Sequence, residues 1–278
     1  MILRPLPVLH RPPWGGLCLA NLYGRDQKDT HIGESWEVWG ASLLPDGRSV
    51  RELCDFNLLV KLIDVEDQLS VQVHPDDAQA MMLEGRPEGK AEGWYIIGTR
   101  PAAKVALGLR RDIGAAELRE LAATGAIEAE LRWTGVHAGE VIDIPPGTIH
   151  SLGGGVLLYE VQQPSELTYR FYDWGRPRPL HLDKAVAVVR SESRPVPRKA
   201  GEGWQELLLE NEHFSLTRLR IDQPRVAGLQ RWEAWTVVAG RLSVGEEEVV
   251  AGTTVLVGPG RYSLDGAAQV LVAGHQRG

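Results

Sequence analysis

One histidine of the chain follows a turn of two prolines and a glycine. Residues 139–150 read GEVIDIPPGTIH, so a strand-like run enters the turn and His150 stands at the start of the next strand. Proline and glycine supply the fixed or positive φ angles of tight turns, which predicts a β-hairpin. The histidine either falls at a strand start with no further role, or the turn aims it at a metal or a substrate. Partners elsewhere in the chain distinguish these interpretations.

A second set of polar residues lies upstream in an alternating run. Residues 69–74 read LSVQVH, so Ser70, Gln72 and His74 share one face of a strand and valines occupy the other. Gln72 is then an ordinary polar strand residue and His74 the end of the strand before a proline, or both project into a site. Because imidazole is a common metal ligand, the second interpretation is a metal site.

A charged pair follows a short distance further on. Residues 89–92 read GKAE, so Lys90 and Glu92 lie on one face if the segment is extended. Such pairs are usually solvated surface groups. This pair directly precedes the apolar run GWYII, which places it at a strand entrance and, in a barrel, at the mouth.

The third polar set combines a carboxylate, an amide and an arginine. Glu160 and Gln162 alternate with apolar residues and share a strand face, and Arg170 follows ten residues after Glu160, flanked by aromatic residues. An arginine in such surroundings either stacks on an aromatic surface or is held, desolvated, for an anionic substrate.

Short strands are predicted to position these residues. The 31 glycines and 17 prolines are spread along the chain, as expected for many strands joined by turns. Two stretches are predicted to be helical. One is 76–85, with Asp76 or Asp77 as its N-cap, and the other is 114–133, with a break at Gly125.

The turn that precedes His150 has a second copy. Residues 252–263 read GTTVLVGPGRYS and line up with residues 139–150, with Ser263 at the position of the histidine. Residues 191–203 are polar, lack periodicity and are predicted to be a linker. The pattern predicts a fold dominated by β-strands, with two small barrels and a small helical excursion.

The spacing of the first copy, G-x5-P-x-G-x2-H, resembles the second motif of the cupin superfamily, whose jelly-roll barrels commonly hold a metal in the mouth. Only this copy retains the histidine. The resemblance implies a catalytic, metal-binding cupin domain over residues 1–195 and a metal-free, cupin-like β domain over residues 200–278.

Composition excludes several classes of partner. The formal net charge is −7 and the pI is about 5.7, which argues against nucleic acid or anionic membrane as the main partner. No segment approaches the length of a membrane span, and prolines interrupt the N-terminal run. Cys18 and Cys54 show no metal-binding spacing, so reduced thiols and a cytoplasmic location are expected.

Four segments together resemble one enzyme family, the type I mannose-6-phosphate isomerases in their short bacterial form. In chain order they read S-x-Q-x-H-P-D-D from residue 70, G-K-x-E-x-W-Y from 89, P-P-G-T-I-H-S-L from 145 and E-x-Q-Q-x-S-x-x-T-Y-R-x-Y-D-W from 160. The resemblance covers most of residues 14–186. The C-terminal third carries no matching motif beyond the repeat.

The resemblance implies a metal site and a reaction. It assigns one zinc per chain to Gln72, His74, Glu92 and His150, a donor set that suits a borderline metal. The implied reaction interconverts mannose 6-phosphate and fructose 6-phosphate through a cis-enediol. The expected partner is therefore a small sugar phosphate, and no protein partner is evident.

The implied reaction suggests roles for the remaining residues. Arg170 stays protonated, so it is expected to stabilise developing oxyanion charge rather than to act as a base. Glu160 is expected to transfer the proton, with Lys90 as its rival for this step or for ring opening. The candidates for binding the substrate and its phosphate are Ser70, Gln162, Lys184 and Arg176.

Two alternatives remain beside a mannose-6-phosphate isomerase. One is a cupin that binds a sugar phosphate without catalysis, or an isomerase of altered sugar specificity. The other is a cupin iron dioxygenase, which Gln72 disfavours because that class has a histidine in this position. The other six histidines, His181 among them, have no partners at recognisable spacing and are expected to be structural or superficial.

Overall fold

The computed structural model describes residues 1–25 and 30–276, and most of its regular structure is β-strand. The strands are, in chain order, β1 (Ile2–Leu3), β2 (Val8–His10), β3 (Glu34–Val38), β4 (Leu59–Val65), β5 (Val71–Val73), β6 (Glu92–Thr99), β7 (Lys104–Leu109), β8 (Leu131–Gly135), β9 (Glu140–Ile144), β10 (His150–Leu152), β11 (Val156–Gln162), β12 (Tyr169–Tyr172), β13 (Arg198–Lys199), β14 (Gln205–Glu210), β15 (Ser215–Ile221), β16 (Arg225–Leu229), β17 (Glu233–Val244), β18 (Glu247–Val250), β19 (Thr253–Val257) and β20 (Gly260–Gly274). The helices are α1 (Cys18–Tyr23), α2 (Asp77–Glu84), α3 (Ala115–Thr124), α4 (Ile127–Glu130) and α5 (Leu182–Val188), with a 3-10 turn at Val50–Glu52.

The chain folds into two compact units. The first unit comprises Met1–Asp64, Tyr159–Pro164 and Lys199–Gly278, and the second comprises Val65–Leu158 and Ser165–Arg198. The chain therefore passes between units four times, whereas the sequence suggests a single boundary between residues 195 and 200. The roles assigned to residues 1–195 and 200–278 stay predictions, and the last two residues of the second range lie outside the described part of the chain.

The first unit is built mainly on a large antiparallel sheet. Its strands run in the order β1-β19-β17-β20-β15-β14, with β16 also paired to β20 and β18 to β17. A smaller set joins β2, β3 and β4 in antiparallel pairs. Alternating apolar residues of the large sheet form a buried core that includes Trp235, Val237, Val255 and Val270.

The second unit sets a five-stranded sheet against helices. Its strands run in the order β12-β5-β10-β7-β8, and β6 pairs separately with β9. The valines of β5, Val71 and Val73, are fully buried in a core that also contains Leu118 of α3 and Ala185 of α5. Because side chains alternate along a strand, the opposite face of β5 carries Gln72.

Both predicted helical stretches are present. Asp76 caps α2 by accepting a hydrogen bond from the Gln79 backbone N–H at 2.8 Å, within a capping box. The predicted break at Gly125 ends α3 in a left-handed conformation, and α4 follows. The end of the prediction is wrong, since residues 131–133 belong to β8, in which Leu131 and Trp133 are paired with β7. α1 and α5 were not predicted, because each is shorter than the window that periodicity needs.

The repeat seen in the sequence has a matching strand register. Its first glycines, Gly139 and Gly252, have φ angles of 87° and 83°, a region that favours glycine. Five residues beyond them in each copy, Ile144 is paired with Glu92 and Val257 with Glu233. Glu233 thus occupies in the first unit the register position that Glu92 occupies in the second unit.

The other three positions of the register differ in chemistry. Gln72 is paired with His150, and the corresponding pair in the first unit is Val226 with Ser263. Two residues beyond Val226 stands Gly228, where the second unit has His74. The second copy therefore keeps the carboxylate and lacks both imidazoles and the amide. That each copy closes a barrel stays a prediction.

Candidate active site

Three of the predicted site residues lie side by side across neighbouring strands. Gln72 of β5 is paired with His150 of β10 on one side and with Arg170 of β12 on the other. Residues paired directly across an antiparallel ladder project from the same face of the sheet. The second unit therefore presents Arg170, Gln72 and His150 in one row, opposite to the buried valines.

A carboxylate and two imidazoles meet beside this row. His74 Nε2 lies 3.1 Å from Glu92 Oε1, and His150 Nε2 lies 3.7 Å from Glu92 Oε2. Lys90 Nζ lies 2.6 Å from Glu92 Oε1 and 3.4 Å from His74 Nε2. The amide of Gln72 is 3.2 Å from His150 Nε2. Residues separated by up to 78 positions in the chain are thus brought together, and all but Gln72 are buried.

Backbone carbonyls orient both imidazoles toward the carboxylate. His74 Nδ1 is 2.8 Å from the Leu167 carbonyl oxygen, and His150 Nδ1 is 2.9 Å from that of Thr148. Since a carbonyl oxygen can only accept, each Nδ1 donates its proton there and each Nε2 carries the lone pair. Metal-binding histidines are commonly held in this way through their other ring nitrogen.

Burial keeps the two imidazoles neutral and charge keeps the carboxylate ionised. Burial, reinforced by Lys90, lowers the pKa of His74 to about 3, and burial also lowers the pKa of His150. Burial alone would raise the pKa of Glu92, but the positive charge of Lys90 opposes burial, and that pKa lies well below its usual range. Neutral imidazole and ionised carboxylate are the protonation states that bind metal ions.

The carboxylate of Glu92 differs in its hydrogen bonds from those of Glu34 and Glu233, which also stand two residues before a tryptophan. The Trp36 indole donates to Glu34 Oε2 at 2.7 Å, and the Trp235 indole donates to Glu233 Oε2 at 3.0 Å. Neither oxygen of the buried Glu92 accepts a hydrogen bond of normal geometry from the described residues. The Glu92 carboxylate is paired with the Lys90 ammonium but lacks an indole donor, which leaves its oxygens able to bind a metal ion.

The donor set fits a divalent metal ion. Ligand atoms of His74, Glu92 and His150 all lie within 4.8 Å of one another. Gln72 adds an amide, whose oxygen and nitrogen exchange places on a half-turn of the group. Two imidazoles, one carboxylate and one amide carry a summed charge of −1, so a bound divalent ion would keep a net positive charge.

Arg170 is a cation with no anionic partner among the described residues. Its guanidinium donates to the Pro179 carbonyl oxygen at 3.4 Å, and no carboxylate of the described chain lies within ion-pairing distance. Nearby Asp173 is instead bound by Arg178 at 2.6 Å and contacts Arg176 at 3.5 Å. Partial burial and the neighbouring Arg178 lower the pKa of Arg170, which still leaves it protonated. Its charge is available to a ligand.

The residues predicted to bind phosphate are already engaged in contacts. Arg176 is paired with Asp67 at 2.9 Å and also donates to a backbone carbonyl. Lys184 is paired with Glu84 at 2.7 Å. Ser70 is buried and donates to Gln72 at 3.3 Å, which places it on the face predicted for it. Their role in phosphate binding stays a prediction.

Glu160 and Gln162 belong to the first unit, where both are buried. Lys61 Nζ lies 3.1 Å from Glu160 Oε1 and 3.5 Å from Glu34 Oε2, and it stands over the Trp36 ring. The amide of Gln162 donates to the Gln163 carbonyl oxygen at 2.9 Å. Sequence analysis missed Lys61, because a lysine in an apolar strand carries no motif; its burial between two carboxylates is visible only in the fold.

Comparison with known proteins identifies one enzyme family. The description "phosphomannose isomerase type I, catalytic domain" matches residues 25–102, which contain three of the four candidate ligands. A mannose-6-phosphate isomerase of Streptococcus mutans is 31% identical over 86% of each chain. The chain belongs to the type I phosphomannose isomerase family. It is therefore an enzyme of the aldose–ketose isomerase class.

Solved structures of the family share the fold. The mannose 6-phosphate isomerase of Bacillus subtilis superposes with a TM-score of 0.87 at 26% identity, over 98% of this chain and 99% of that one. A mannose 6-phosphate isomerase of Salmonella typhimurium gives a TM-score of 0.79 at 15% identity over 99% of both chains, which shows the fold alone. The predicted β-dominated, cupin-like fold is confirmed. Among the described residues, no helix is long and apolar enough to cross a membrane.

The second copy of the turn provides a prediction about the metal. Ser263 stands at the register position of His150 but in a copy without imidazoles, so Ser263→Ala is expected to change neither metal content nor turnover by more than about twofold, as for most changes away from a site. Metal analysis and steady-state kinetics measure both. A large loss of bound metal in this variant would show that the two copies do not have separate roles.

Proposed function

We propose that the chain interconverts mannose 6-phosphate and fructose 6-phosphate through a cis-enediol intermediate. The proposal is supported by family membership and by relatives named for this reaction. The observation that carries it is the convergence of His74, Glu92 and His150 beside Gln72 and the unpaired cation Arg170. A metal site next to a free guanidinium suits a reaction in which negative charge develops on sugar oxygens.

We propose one zinc ion per chain, held by Gln72, His74, Glu92 and His150. Imidazole nitrogens and a carboxylate oxygen are preferred zinc donors, and a site with a weak fourth donor can admit a substrate oxygen. When bound, zinc would supply Lewis-acid polarisation of substrate oxygens. The chain's own contribution is the pair of carbonyl contacts that holds each imidazole in its metal-binding tautomer.

Arg170 is the proposed stabiliser of the enediolate. A proton moving between C1 and C2 leaves charge on an adjacent oxygen, and a preorganised cation lowers the free energy of that state. The guanidinium has no carboxylate partner to displace among the described residues, so its charge can be directed at the substrate. Its place next to Gln72 fixes it relative to the proposed metal ligands.

Glu160 is the proposed group that moves the proton. Its buried carboxylate is paired with Lys61, and a carboxylate paired with a cation is the ionised form that can accept a proton. Lys90, the rival, is held 2.6 Å from Glu92, so it is better placed to balance the charge of that ligand. We therefore assign Lys90 to charge balance and ring opening.

Four further residues are proposed to bind the substrate. Ser70, Gln162, Lys184 and Arg176 remain the candidates for binding the sugar and its phosphate. Lys184 and Arg176 would have to exchange a carboxylate partner for the phosphate.

We assign catalysis and the metal to residues 1–195 and a metal-free supporting role to residues 200–278. A cytoplasmic location is proposed from composition alone.

One assay tests the activity and the metal together. Purified protein is given mannose 6-phosphate, and fructose 6-phosphate is followed in a coupled assay before chelation, after removal of metal, and after zinc is returned. We expect about one zinc per chain in the untreated protein, loss of turnover on chelation and recovery with zinc. No product from zinc-loaded protein would overturn the activity, and full turnover by metal-free protein would overturn the metal site.

A further inference from the structure

We infer that His181 is a positioning residue for Arg170: it holds both backbone polar groups of the arginine and so fixes the direction of its side chain. The inference rests on the proposed function, since it concerns how the arginine that stabilises the enediolate is kept in place. His181 lies eleven residues beyond Arg170, immediately before α5.

His181 makes two complementary hydrogen bonds to Arg170. The Arg170 backbone N–H donates to His181 Nδ1 at 3.1 Å, and the His181 backbone N–H donates to the Arg170 carbonyl oxygen at 2.8 Å. In an antiparallel strand the N–H and C=O of one residue point to the same side. A single histidine thus satisfies the whole outward backbone edge of Arg170.

Without His181, the outward edge of β12 at Arg170 would lack a partner strand. β12 is the first strand of the five-stranded sheet, so among the described strands it pairs with β5 along one edge and with none along the other. Because the Arg170 backbone groups point outward, Arg170 and Gln72 form a non-hydrogen-bonded pair, the kind in which side chains approach most closely. His181 replaces the missing strand at the residue whose side chain must be held beside Gln72.

The ladder is irregular at this point, which makes an external restraint more important. The register of β12 against β5 shifts between Arg170 and Tyr172, so Phe171 has no direct partner there. A bulge of this kind twists the strand locally and redirects side chains. His181 is itself restrained, because its carbonyl accepts the first hydrogen bond of α5 from Ala185 at 2.8 Å. The helix therefore anchors the arginine through one residue, by its side chain and its backbone N–H.

The contact depends on the protonation state of the imidazole. Only neutral His181 can accept at Nδ1, since both nitrogens donate in the imidazolium. Burial, with Arg170 and Lys184, lowers the pKa of His181 from its ordinary 6.5, while Glu84 opposes this. The ring also faces Tyr169 and lines an open cleft of about 380 Å³ whose other charged groups are Arg86 and Glu166. Protons from solvent can therefore reach the ring. The hydrogen bond from the Arg170 N–H to Nδ1 is intact at neutral pH and is lost in acid, at a pH below the ordinary imidazole pKa of 6.5.

Two substitutions test whether His181 acts through its hydrogen-bond acceptor or through its aromatic ring. His181→Phe keeps an aromatic ring against Tyr169 but removes the acceptor, and we expect kcat to fall by about 10–100-fold with little change in KM, as when other supports of a catalytic group are removed. His181→Asn places an oxygen at the position of Nδ1 and does not titrate. It is expected to keep kcat within about threefold of wild type and to shift the acid limb of the pH–rate profile to lower pH.

A surface histidine provides the matched control. His137 is exposed and contacts only Glu140 among the described side chains, so His137→Phe is expected to leave kcat and the pH profile unchanged. Zinc content is measured in every variant, because a loss of metal in acid would also lower the rate. Equal kcat values for His181→Phe and wild type would overturn the inference. So would an acid limb that is identical in His181→Asn and wild type.

A double-mutant cycle distinguishes this inference from the proposed function. If His181 acts through Arg170, His181→Phe causes no further loss of kcat in an Arg170→Ala background. A full additional loss in that background would show that His181 acts elsewhere and would overturn the inference, with the role of Arg170 retained. A wild-type rate for Arg170→Ala would instead overturn that part of the proposed function.

Discussion

Replacing Arg170 with alanine is expected to lower turnover by about 10²–10³-fold, the effect of removing one preorganised donor from a developing oxyanion. The reason is that Arg170 is a partly buried cation without a carboxylate partner among the described residues, paired across the ladder with Gln72. Zinc content is expected to stay at the wild-type level, because within the described part of the chain the guanidinium donates to the Pro179 carbonyl oxygen and to none of the proposed ligands. Steady-state kinetics and metal analysis of the same preparation measure both quantities.

The matched control is another arginine of the second unit. Arg119 is on the surface and is paired with exposed Asp183, so Arg119→Ala is expected to keep full turnover. Loss of zinc in Arg170→Ala together with its loss of rate would contradict the proposed division of roles. It would mean that the arginine supports the metal site rather than the reaction.

Glu92→Gln is expected to abolish both metal binding and turnover. The substitution keeps size and shape but removes the only carboxylate from the proposed ligand set, and it leaves the buried Lys90 without its anionic partner. Since loss of an outer support alone weakens metal affinity by about 10–100-fold, loss of this ligand is expected to exceed about 100-fold. Zinc content after gel filtration and competition with a chelator measure the change.

Glu233→Gln is the control that the chain itself provides. Glu233 has the same register position in the first unit, but its carboxylate accepts a hydrogen bond from Trp235, which a glutamine oxygen can also accept. Metal content and turnover are expected to match wild type. If Glu92→Gln retains a full complement of zinc, Glu92 is not a ligand; thermal unfolding of both variants shows whether either change acts through stability instead.

Periodicity and turn chemistry allowed part of the candidate site to be predicted. Alternation placed Ser70, Gln72 and His74 on one strand face, and the buried valines of β5 show why, since the other face is needed for the core. The proline–glycine turn correctly predicted a strand start at His150. Such inferences work because they depend on residues adjacent in the chain, where the period of the strand decides orientation.

Contacts between distant segments were not accessible in this way. The row from Arg170 through Gln72 to His150 depends on the order of β12, β5 and β10, which no local pattern encodes. His181 was expected to be structural or superficial, and its two hydrogen bonds with Arg170 could not be predicted from the spacing of the two residues. Lys61 went unnoticed for the same reason, because its contact with Glu160 joins strands far apart in sequence.

Three of the Glu-x-Trp pairs of the chain, at Glu34, Glu92 and Glu233, show how one strand position can carry carboxylates with different surroundings. In two of them the indole holds the carboxylate, so the acid is useful to the strand whether or not any ligand is present. At Glu92 the oxygens accept no such bond from the described residues and face two imidazoles instead. The surroundings of Glu92 therefore differ from those of Glu34 and Glu233 by the missing indole donor and by the presence of two imidazoles and the Lys90 ammonium. A carboxylate at this strand position can thus be kept for its hydrogen bond alone, so its presence in a related strand does not by itself indicate a metal centre.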